Sequence, residues 1–191
     1  MANFKEDILQ ITTRLIVEEG FDYAHAKQKA GSMLAPNKRR KTKFNSFPTN
    51  LEIEKSVKNY LEMFYWEDLN LRIDILQEKA KNLMIELEDF APILIGELSK
   101  DIATEYTIVQ LCVFSDSSKD ILMHFLDMNH STEILQLKHP LCKGSVEALA
   151  CEWEEHDAII YCLKNKDKNL CSGGVSLNAI RKKIQNRVKG N

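Results

Sequence analysis

The chain has few of the features that mark disordered, secreted or membrane-spanning proteins. Its 191 residues include only 7 glycines and 4 prolines, too few for a disordered or collagen-like chain. No apolar run reaches the roughly 20 residues that are needed to cross a bilayer. The first ten residues, MANFKEDILQ, contain acids where a secretory signal peptide has a basic segment followed by an apolar one. We therefore expect a cytoplasmic protein with no membrane partner.

The sequence also lacks a strong charge of either sign and any cysteine pairing pattern. The net charge is −2, which provides no global field for attracting nucleic acid or a membrane surface. The number of cysteines is odd and no two have C-x-x-C spacing, so we expect buried, reduced thiols and neither a disulfide framework nor a metal site. These cysteines are Cys112, Cys142, Cys151, Cys162 and Cys171.

Helical patterns are present throughout the first ninety residues. Apolar residues recur at helical spacing from Phe4 to Leu15, and Gly20 is placed to end that helix. Asp22 can cap a second helix that reaches Leu34. The stretch Thr49-Asn50-Leu51-Glu52 has the capping-box pattern of a third helix, and a fourth is predicted from about Asp68 to Phe90.

After Pro92 the period changes, and short apolar runs that are typical of buried strands alternate with helical segments. We therefore predict an α+β fold in which a helical region over 1–91, with a basic linker at 36–48, packs on an α+β core over 92–191 that ends in a helix. The predicted strands are Ile93–Ile95, Ile108–Phe114, Thr132–Leu137, Val146–Trp153 and Ala158–Leu163, and the two predicted helices begin after Asp116-Ser117 and Ser176.

Three segments carry a resemblance to a known family: TRLIVEEGFDYAHAKQKAGSMLA, FPTNLEIEKSVKNYLEMF and LIGELSKDIATEYTIVQLCVFSDSSKDI. With them the chain resembles, nearly end to end, a bacterial family of uncharacterised proteins that are usually described as nucleotidyltransferases. The last segment is similar to the polymerase-β-like nucleotidyltransferase core. The resemblance implies a small mixed β-sheet of the nucleotidyltransferase type over the second half of the chain.

The same resemblance assigns catalytic positions, and this chain departs from the pattern at each of them. Asp101 and Ile102 stand where the family core has a glycine and a hydroxyl residue, and Ile108 and Gln110 stand at its two carboxylate positions. Ile108 cannot ligate Mg²⁺, and Asp101 would repel a triphosphate. The resemblance therefore implies a protein that has lost catalysis, uses no cofactor, and acts as a binding, scaffold or regulatory protein with a protein partner.

Two alternatives stay open. In the first, the chain is an active nucleotidyltransferase that uses Mg²⁺ and a nucleoside triphosphate with a shifted set of carboxylates. Glu152 and Glu154 alternate so that they would share one strand face, although a solvated outer face explains them as well. In the second, the chain binds nucleic acid through a basic run followed by Phe44, although such a run is also typical of a solvated linker. That run contains Lys38, Arg39, Arg40, Lys41 and Lys43.

An aromatic stripe at the end of the third predicted helix has two interpretations. Tyr60, Leu61, Phe64, Tyr65 and Trp66 could form a groove for a partner or ligand. We prefer the interpretation that they pack against the fourth helix, since aromatic side chains contribute large areas to a core.

Overall fold

A computed structural model describes residues 4–34, 47–127 and 130–190 of the chain. The chain divides into two units, one formed by Met1–Leu71 with Ile102–Tyr106 and the other by Arg72–Asp101 with Thr107–Asn191. Among the described helices, none combines the length and the apolar composition that a membrane span requires.

The first unit consists of helices that begin and end where local sequence signals place them. These are α1 (Phe4–Glu19), α2 (Tyr23–Leu34), α3 (Asn50–Phe64) and the first residues of α4 (Trp66–Glu86). Gly20 has a φ of +71° and ends α1, because the left-handed conformation suits glycine. The Asp22 carboxylate accepts hydrogen bonds from the backbone N–H groups of Ala24 and His25 at 2.9 and 3.1 Å, and so caps α2.

The capping box predicted at the start of α3 is confirmed. The Thr49 Oγ1 atom accepts from the Glu52 N–H at 3.3 Å, and the Glu52 carboxylate accepts from the Thr49 N–H at 2.7 Å. Lys5 of α1 forms an ion pair of 2.6 Å with the same Glu52. The start of α3 is therefore fixed both within the helix and against α1.

We expect Thr49→Ala to lower the free energy of unfolding of the first unit by about 1 kcal/mol, because the substitution removes a side chain that satisfies an N-terminal N–H group. Urea unfolding followed by circular dichroism measures the change. Thr49→Asn is the matched control, since asparagine caps helices at least as well as threonine. Equal losses in the two variants would contradict a capping role.

The second unit is built on a six-stranded mixed sheet with the order β3-β4-β5-β2-β1-β6. Strands β2 and β5 pair in parallel, and their neighbours pair antiparallel. The predicted α+β class and C-terminal helix are confirmed. The strands are β1 (Ile93–Ile95), β2 (Val109–Phe114), β3 (Thr132–Lys138), β4 (Ser145–Trp153), β5 (His156–Leu163) and β6 (Val175–Ser176), and the helices of this unit after α4 are α5 (Ser118–Asp127) and α6 (Leu177–Gly190).

Strand β2 is covered on both faces, which explains its nearly continuous apolar sequence. Leu111 and Cys112 point to opposite faces, and both are fully buried. Cys112 belongs to a core cluster with Tyr161 and Leu163 of β5, and this cluster also includes Cys171, at the end of the 3₁₀ segment Asn165–Cys171. Helix α5 packs against β3 and β4.

The cysteines follow the expectation only in part. Cys112, Cys151 and Cys171 are buried free thiols, Cys162 is half-buried and Cys142 is exposed. Burial raises the pKa of the Cys112 thiol well above its ordinary value, and nearby Cys171 adds to the increase. Three of the five are therefore inert core residues, while the expectation of burial is wrong for Cys142.

Candidate functional site

Asp101, the residue expected at a phosphate-binding turn, is instead the centre of an ion-pair network. It follows a short 3₁₀ turn, Leu98–Lys100, and has a φ of 58°. Its carboxylate lies 3.0 Å from the Lys183 Nζ atom and 2.9 Å from an Arg187 guanidinium nitrogen, both on α6. The Gln77 amide of α4 donates to it at 2.8 Å. Asp101 therefore connects α6 and α4 to the turn Leu98–Lys100.

The electrostatic environment of Asp101 favours the charged form. Burial alone would raise the pKa of this carboxyl, but hydrogen bonds from Lys183 and Gln77 and the charges of Lys183 and Arg187 outweigh it and hold the pKa below its usual value. The side chain is 32% exposed. Since the cations on α6 already satisfy this carboxylate, it has a structural role.

The other positions assigned by the resemblance carry no charged side chain. Ile102 is 2% exposed and belongs to the first unit, whereas Gln110 lies on β2 of the second. Gln110 is half-buried between Ile95 of β1 and Ile159 of β5. Ile108 precedes β2 and is also half-buried. No hydrogen-bond network within the described residues links these side chains to Asp101.

The expectation that Glu152 and Glu154 share one strand face is wrong. Strand β4 ends at Trp153, and Glu154 and Glu155 form the turn to β5 with φ values of 48° and 67°. The left-handed turn directs Glu154 away from the strand's alternation, and its carboxylate accepts from Asn82 at 3.0 Å. Within the described ranges, no group of three or more His, Cys, Asp or Glu side chains is arranged to hold a metal ion.

A polar pocket of about 580 Å³ opens at the carboxyl ends of the parallel strands β2 and β5. Phe114 and Leu163 pair at these ends, and the Ser115 N–H continues the pairing to the Leu163 carbonyl at 3.0 Å. We call it the serine–lysine pocket, after Ser115, Ser117, Ser118, Lys119, Lys164 and Lys166. Its other lining residues are Asp116, Gln136, His139, 145–147, Cys162, Leu163 and Asp167.

The loop between β2 and α5 is held in place by its own serines. The Ser117 N–H donates to the Ser115 Oγ atom at 3.1 Å, and the same hydroxyl donates to Asp120 at 3.1 Å. The Ser117 Oγ atom accepts from the Lys119 N–H at 3.3 Å. These bonds fix the N-terminus of α5 at the pocket, where the helix dipole favours negative charge. The Lys119 N–H is used within the loop, and the Asp120 N–H donates to the Ser117 carbonyl at 3.3 Å.

Three lysines line the pocket, and within the described residues none of them forms an ion pair with an acid of the pocket. Within the described residues, the exposed Lys119, Lys164 and Lys166 form no ion pair. Two acids of the pocket have neutral partners instead. Glu147 accepts a hydrogen bond from the Ser118 hydroxyl, and Asp116 accepts from the Asn165 amide at 3.4 Å. The ammonium groups are therefore available to an added anion.

Cys162 forms part of the pocket wall and is half-buried. Burial, with a contribution from the Glu147 charge, raises the pKa of this thiol to about 12. The side chain is therefore a protonated thiol at neutral pH. The donors that the pocket offers to a ligand are the Ser117 hydroxyl and the ammonium groups of its three lysines.

Sequence reasoning did not identify this site. It placed Asp116 and Ser117 only as a helix cap, and it assigned no role to Lys164 or Lys166. The available signal was a helix cap immediately after a buried strand, which is a common position for anion binding. The lysines come from the segment after β5, so only the parallel pairing of β2 with β5 brings them to that cap.

One family model, described as cyclin-dependent kinase inhibitor 3 (CDKN3), matches residues 96–183. The match covers less than half of the chain, and every residue of the serine–lysine pocket lies inside it. No curated protein and no solved structure matches the chain.

This match overturns the resemblance to bacterial nucleotidyltransferases, and it includes almost all of the segment 94–121 that carried the similarity to the nucleotidyltransferase core. The physical reason is that the quoted segments matched in their apolar strand and helix patterns, which many α+β folds share. The positions that define nucleotidyl transfer were already absent at Asp101, Ile102, Ile108 and Gln110. The interpretations as a degenerate or a shifted-carboxylate nucleotidyltransferase are therefore wrong.

The nucleic-acid interpretation is also contradicted, since the matching family is described as a kinase inhibitor. It depended on a basic run in a chain without a strong net charge. The five basic residues assigned to it, Lys38, Arg39, Arg40, Lys41 and Lys43, lie outside the described residues.

The aromatic stripe at the end of α3 is exposed. Phe64, Tyr65 and Trp66 are 62%, 40% and 59% exposed. The expectation that these side chains pack against the fourth helix is therefore wrong. The helical pattern does not continue through Tyr65, because α3 ends there and α4 begins at the next residue.

Proposed function

We propose that this protein binds a phosphorylated side chain of another protein in the serine–lysine pocket. The observation that carries the proposal is the meeting of three unpaired lysines with the N-terminus of α5 in one recess. The similarity of residues 96–183 to CDKN3, a phosphatase-like family with a kinase inhibitor's name, supports a phosphorylated protein as the ligand class.

The chemistry of the pocket suits a phosphomonoester. Its three terminal oxygens can accept from the Ser117 hydroxyl and from Lys119, Lys164 and Lys166, since the hydroxyls of Ser115 and Ser118 already donate to Asp120 and Glu147. Hydrogen bonds to charged groups contribute about 1.5–3 kcal/mol each, and a helix N-terminus adds about 0.3–1 kcal/mol. Micromolar binding corresponds to about 8.2 kcal/mol, so it needs three such contacts at the upper end of this range.

The acids of the pocket affect which anions it binds. Asp116, Glu147 and Asp167 balance the charges of the three lysines, so the recess has little long-range attraction for anions. Binding therefore depends on direct contacts, which a tetrahedral phosphate makes in larger number than a planar carboxylate. This arrangement favours a phosphorylated side chain over an aspartate or glutamate in the same peptide.

The recess is also placed for a protein ligand. Lys119, Lys164 and Lys166 are all exposed, so a side chain that projects from another protein's surface can reach them. The proposed partner is a protein, and the proposed binding needs no cofactor. A cytoplasmic location is consistent with a phosphorylated protein partner.

Fluorescence anisotropy with degenerate peptides that carry phosphoserine, phosphothreonine or phosphotyrosine tests the proposal. We expect at least one phosphopeptide pool to bind more tightly than its unphosphorylated counterpart, with inorganic phosphate as a competitor. Lys164→Ala and Lys166→Ala should each weaken this binding about tenfold, which corresponds to about 1.4 kcal/mol. Binding should also weaken as salt concentration rises.

Lys58→Ala is the matched control, since Lys58 is an exposed lysine on α3 and its replacement should leave binding unchanged. Equal affinity for phosphorylated and unphosphorylated pools would contradict the proposal. The same conclusion would follow if both pocket variants and the control lost affinity to the same extent, since that would indicate only a general effect of positive charge.

A further inference from the structure

Two buried cysteines of the second unit belong to one core cluster. Cys112 lies on the interior strand β2 and is fully buried, and Cys171 ends the 3₁₀ segment Asn165–Cys171 and is 2% exposed. The two thiols are close enough for each to change the pKa of the other through a hydrogen bond. The described members of the cluster carry no charged side chain, so the two sulfurs meet in apolar surroundings.

The backbone after Cys171 places this residue beside Cys112 independently of the thiols. The Gly174 N–H donates to the Cys171 carbonyl at 2.9 Å, and a Cβ atom at Gly174 would lie 2.4 Å from the Ile93 Cγ2 atom. Ile93 pairs directly with Cys112 in the ladder of β1 with β2. Residues that pair directly lie on the same face of a sheet. The end of the 3₁₀ segment is therefore held against the sheet face that carries Cys112.

The other two strand cysteines lie on the opposite face of the sheet. Cys162 pairs with Val113, the neighbour of Cys112 on β2, so alternation places Cys162 on the face opposite to Cys112. Cys151 pairs with Ala158, which is four residues from Cys162 on β5 and shares its face. Neither thiol can therefore replace Cys171 as the partner of Cys112.

Cys171 can become accessible while the sheet stays intact. In the closed structure both thiols are inert, because burial raises the pKa of each and keeps it protonated. However, residues 164–166 and 168–170 before Cys171 are exposed, and the 3₁₀ segment begins without a side-chain cap. Local opening of a segment with few buried contacts costs less free energy than unfolding of the domain. Such opening exposes Cys171, whereas Cys112 stays within the sheet.

We propose that Cys112 and Cys171 form a reversible disulfide when the protein meets a low-molecular-weight disulfide such as glutathione disulfide. In the open form, the Cys171 thiol loses its proton and attacks one sulfur of glutathione disulfide. The S–S bond of that molecule breaks, a bond from Cys171 to glutathione forms, and one glutathione leaves and takes up a proton.

The second step closes the bond within the protein. As the segment returns, the Cys112 thiol loses its proton and attacks the Cys171 sulfur, and the second glutathione leaves as a thiol. In total, two electrons pass from the two cysteines to glutathione disulfide. The product connects β2 to the end of the 3₁₀ segment and prevents that segment from opening. This inference does not depend on the proposed role of the serine–lysine pocket.

Peptide mapping of the folded chain tests the proposal. The Cys142→Ser background removes the exposed thiol, and the protein is incubated with glutathione disulfide and digested with trypsin without reduction. Cleavage after lysine and arginine places Cys112 in peptide 101–119 and Cys171 in peptide 169–181, while peptide 144–164 carries the other two thiols. Mass spectrometry should find 101–119 joined to 169–181 with the loss of two hydrogen atoms, and dithiothreitol should separate them.

The oxidised protein should also unfold at a higher urea concentration than the reduced protein, because the bond constrains the unfolded chain. Cys171→Ala should abolish both the joined peptides and this increase. Cys151→Ala is the matched control, since Cys151 is likewise buried, and it should keep both.

Oxidation that gave only glutathione adducts, or that joined peptide 144–164 to either of the others, would overturn the proposal. So would a bond that formed only in urea, where any two thiols of the chain can meet. The peptide map of the Cys142→Ser protein decides between these outcomes even if Cys171→Ala does not fold.

Discussion

Gly174→Ala is expected to lower the free energy of unfolding of the second unit by about 3 kcal/mol, since it forces a methyl group into a filled space. A Cβ atom at this position would lie 2.4 Å from the Ile93 Cγ2 atom and 2.8 Å from the Leu94 carbonyl oxygen. Gly174 immediately precedes β6, which pairs with β1 at Ile93 and Leu94. The added methyl group must therefore displace either the edge strand or the backbone of β1.

Gly173→Ala is the matched control, because a Cβ atom there meets nothing within 4 Å, and its effect on stability should be small. In a Trp66→Phe background, Trp153 is the remaining tryptophan, and its fluorescence during urea unfolding reports on the second unit. If Gly173→Ala and Gly174→Ala were equally stable, the close approach of β6 to β1 would be refuted.

Asp101→Asn is expected to destabilise the second unit by about 2 kcal/mol, less than the cost of breaking a fully buried pair because the site is partly exposed. The substitution keeps the shape of the side chain and tolerates the φ of 58°, but it removes the charge. Lys183 then loses its carboxylate partner, while Arg187 keeps Asp74 at 2.8 Å. The loss should appear in the urea unfolding of the Trp66→Phe background.

The pH dependence of this effect has a definite sign. The folded pKa of Asp101 lies below the ordinary value, which is about 3.9 in an unfolded chain. The stabilisation is therefore complete above that value and is lost as the pH falls through the folded pKa. The difference between the natural chain and Asp101→Asn should be constant from about pH 5 to 7 and should shrink below about pH 4.

Asp74→Asn is the control for this network. Asp74 pairs with Arg187 only through a side chain that is 51% exposed, so its loss should cost well under 1 kcal/mol. A loss for Asp101→Asn as small as that for Asp74→Asn, or one that does not change with pH, would refute the structural role of the Asp101 network.

The helix ends could be predicted from the sequence because they depend on neighbouring residues. The capping box of Thr49 and Glu52 lies within four residues, and Gly20 and Asp22 act on the helices next to them. The importance of Gly174 could not be predicted in this way. The sequence marks Gly173 and Gly174 equally as a turn, and only the pairing of β6 with β1, which is distant in the chain, distinguishes them.

The candidate site could likewise be predicted only where it depends on neighbouring residues. Its loop was visible as a helix cap, but Lys164 and Lys166 reach that loop only through the parallel pairing of β2 with β5. The turn at Glu154 gives a second example. Two left-handed acids replace the glycine or asparagine that usually indicates such a turn, so the alternation pattern was extended one residue too far, to Glu154.

The order of the sheet has a consequence for aggregation. Its two edge strands in the described sheet are β3 and β6, and an open edge can pair with a strand of another molecule. Strand β6 consists of only Val175 and Ser176, which is too short to serve as a template. Strand β3 is longer, but Glu133 and Lys138 are exposed along it, and charged side chains disfavour the approach of a second strand. Pairing with a strand of another molecule is thus opposed at the β6 edge by the short length of the strand and at the β3 edge by its charged side chains.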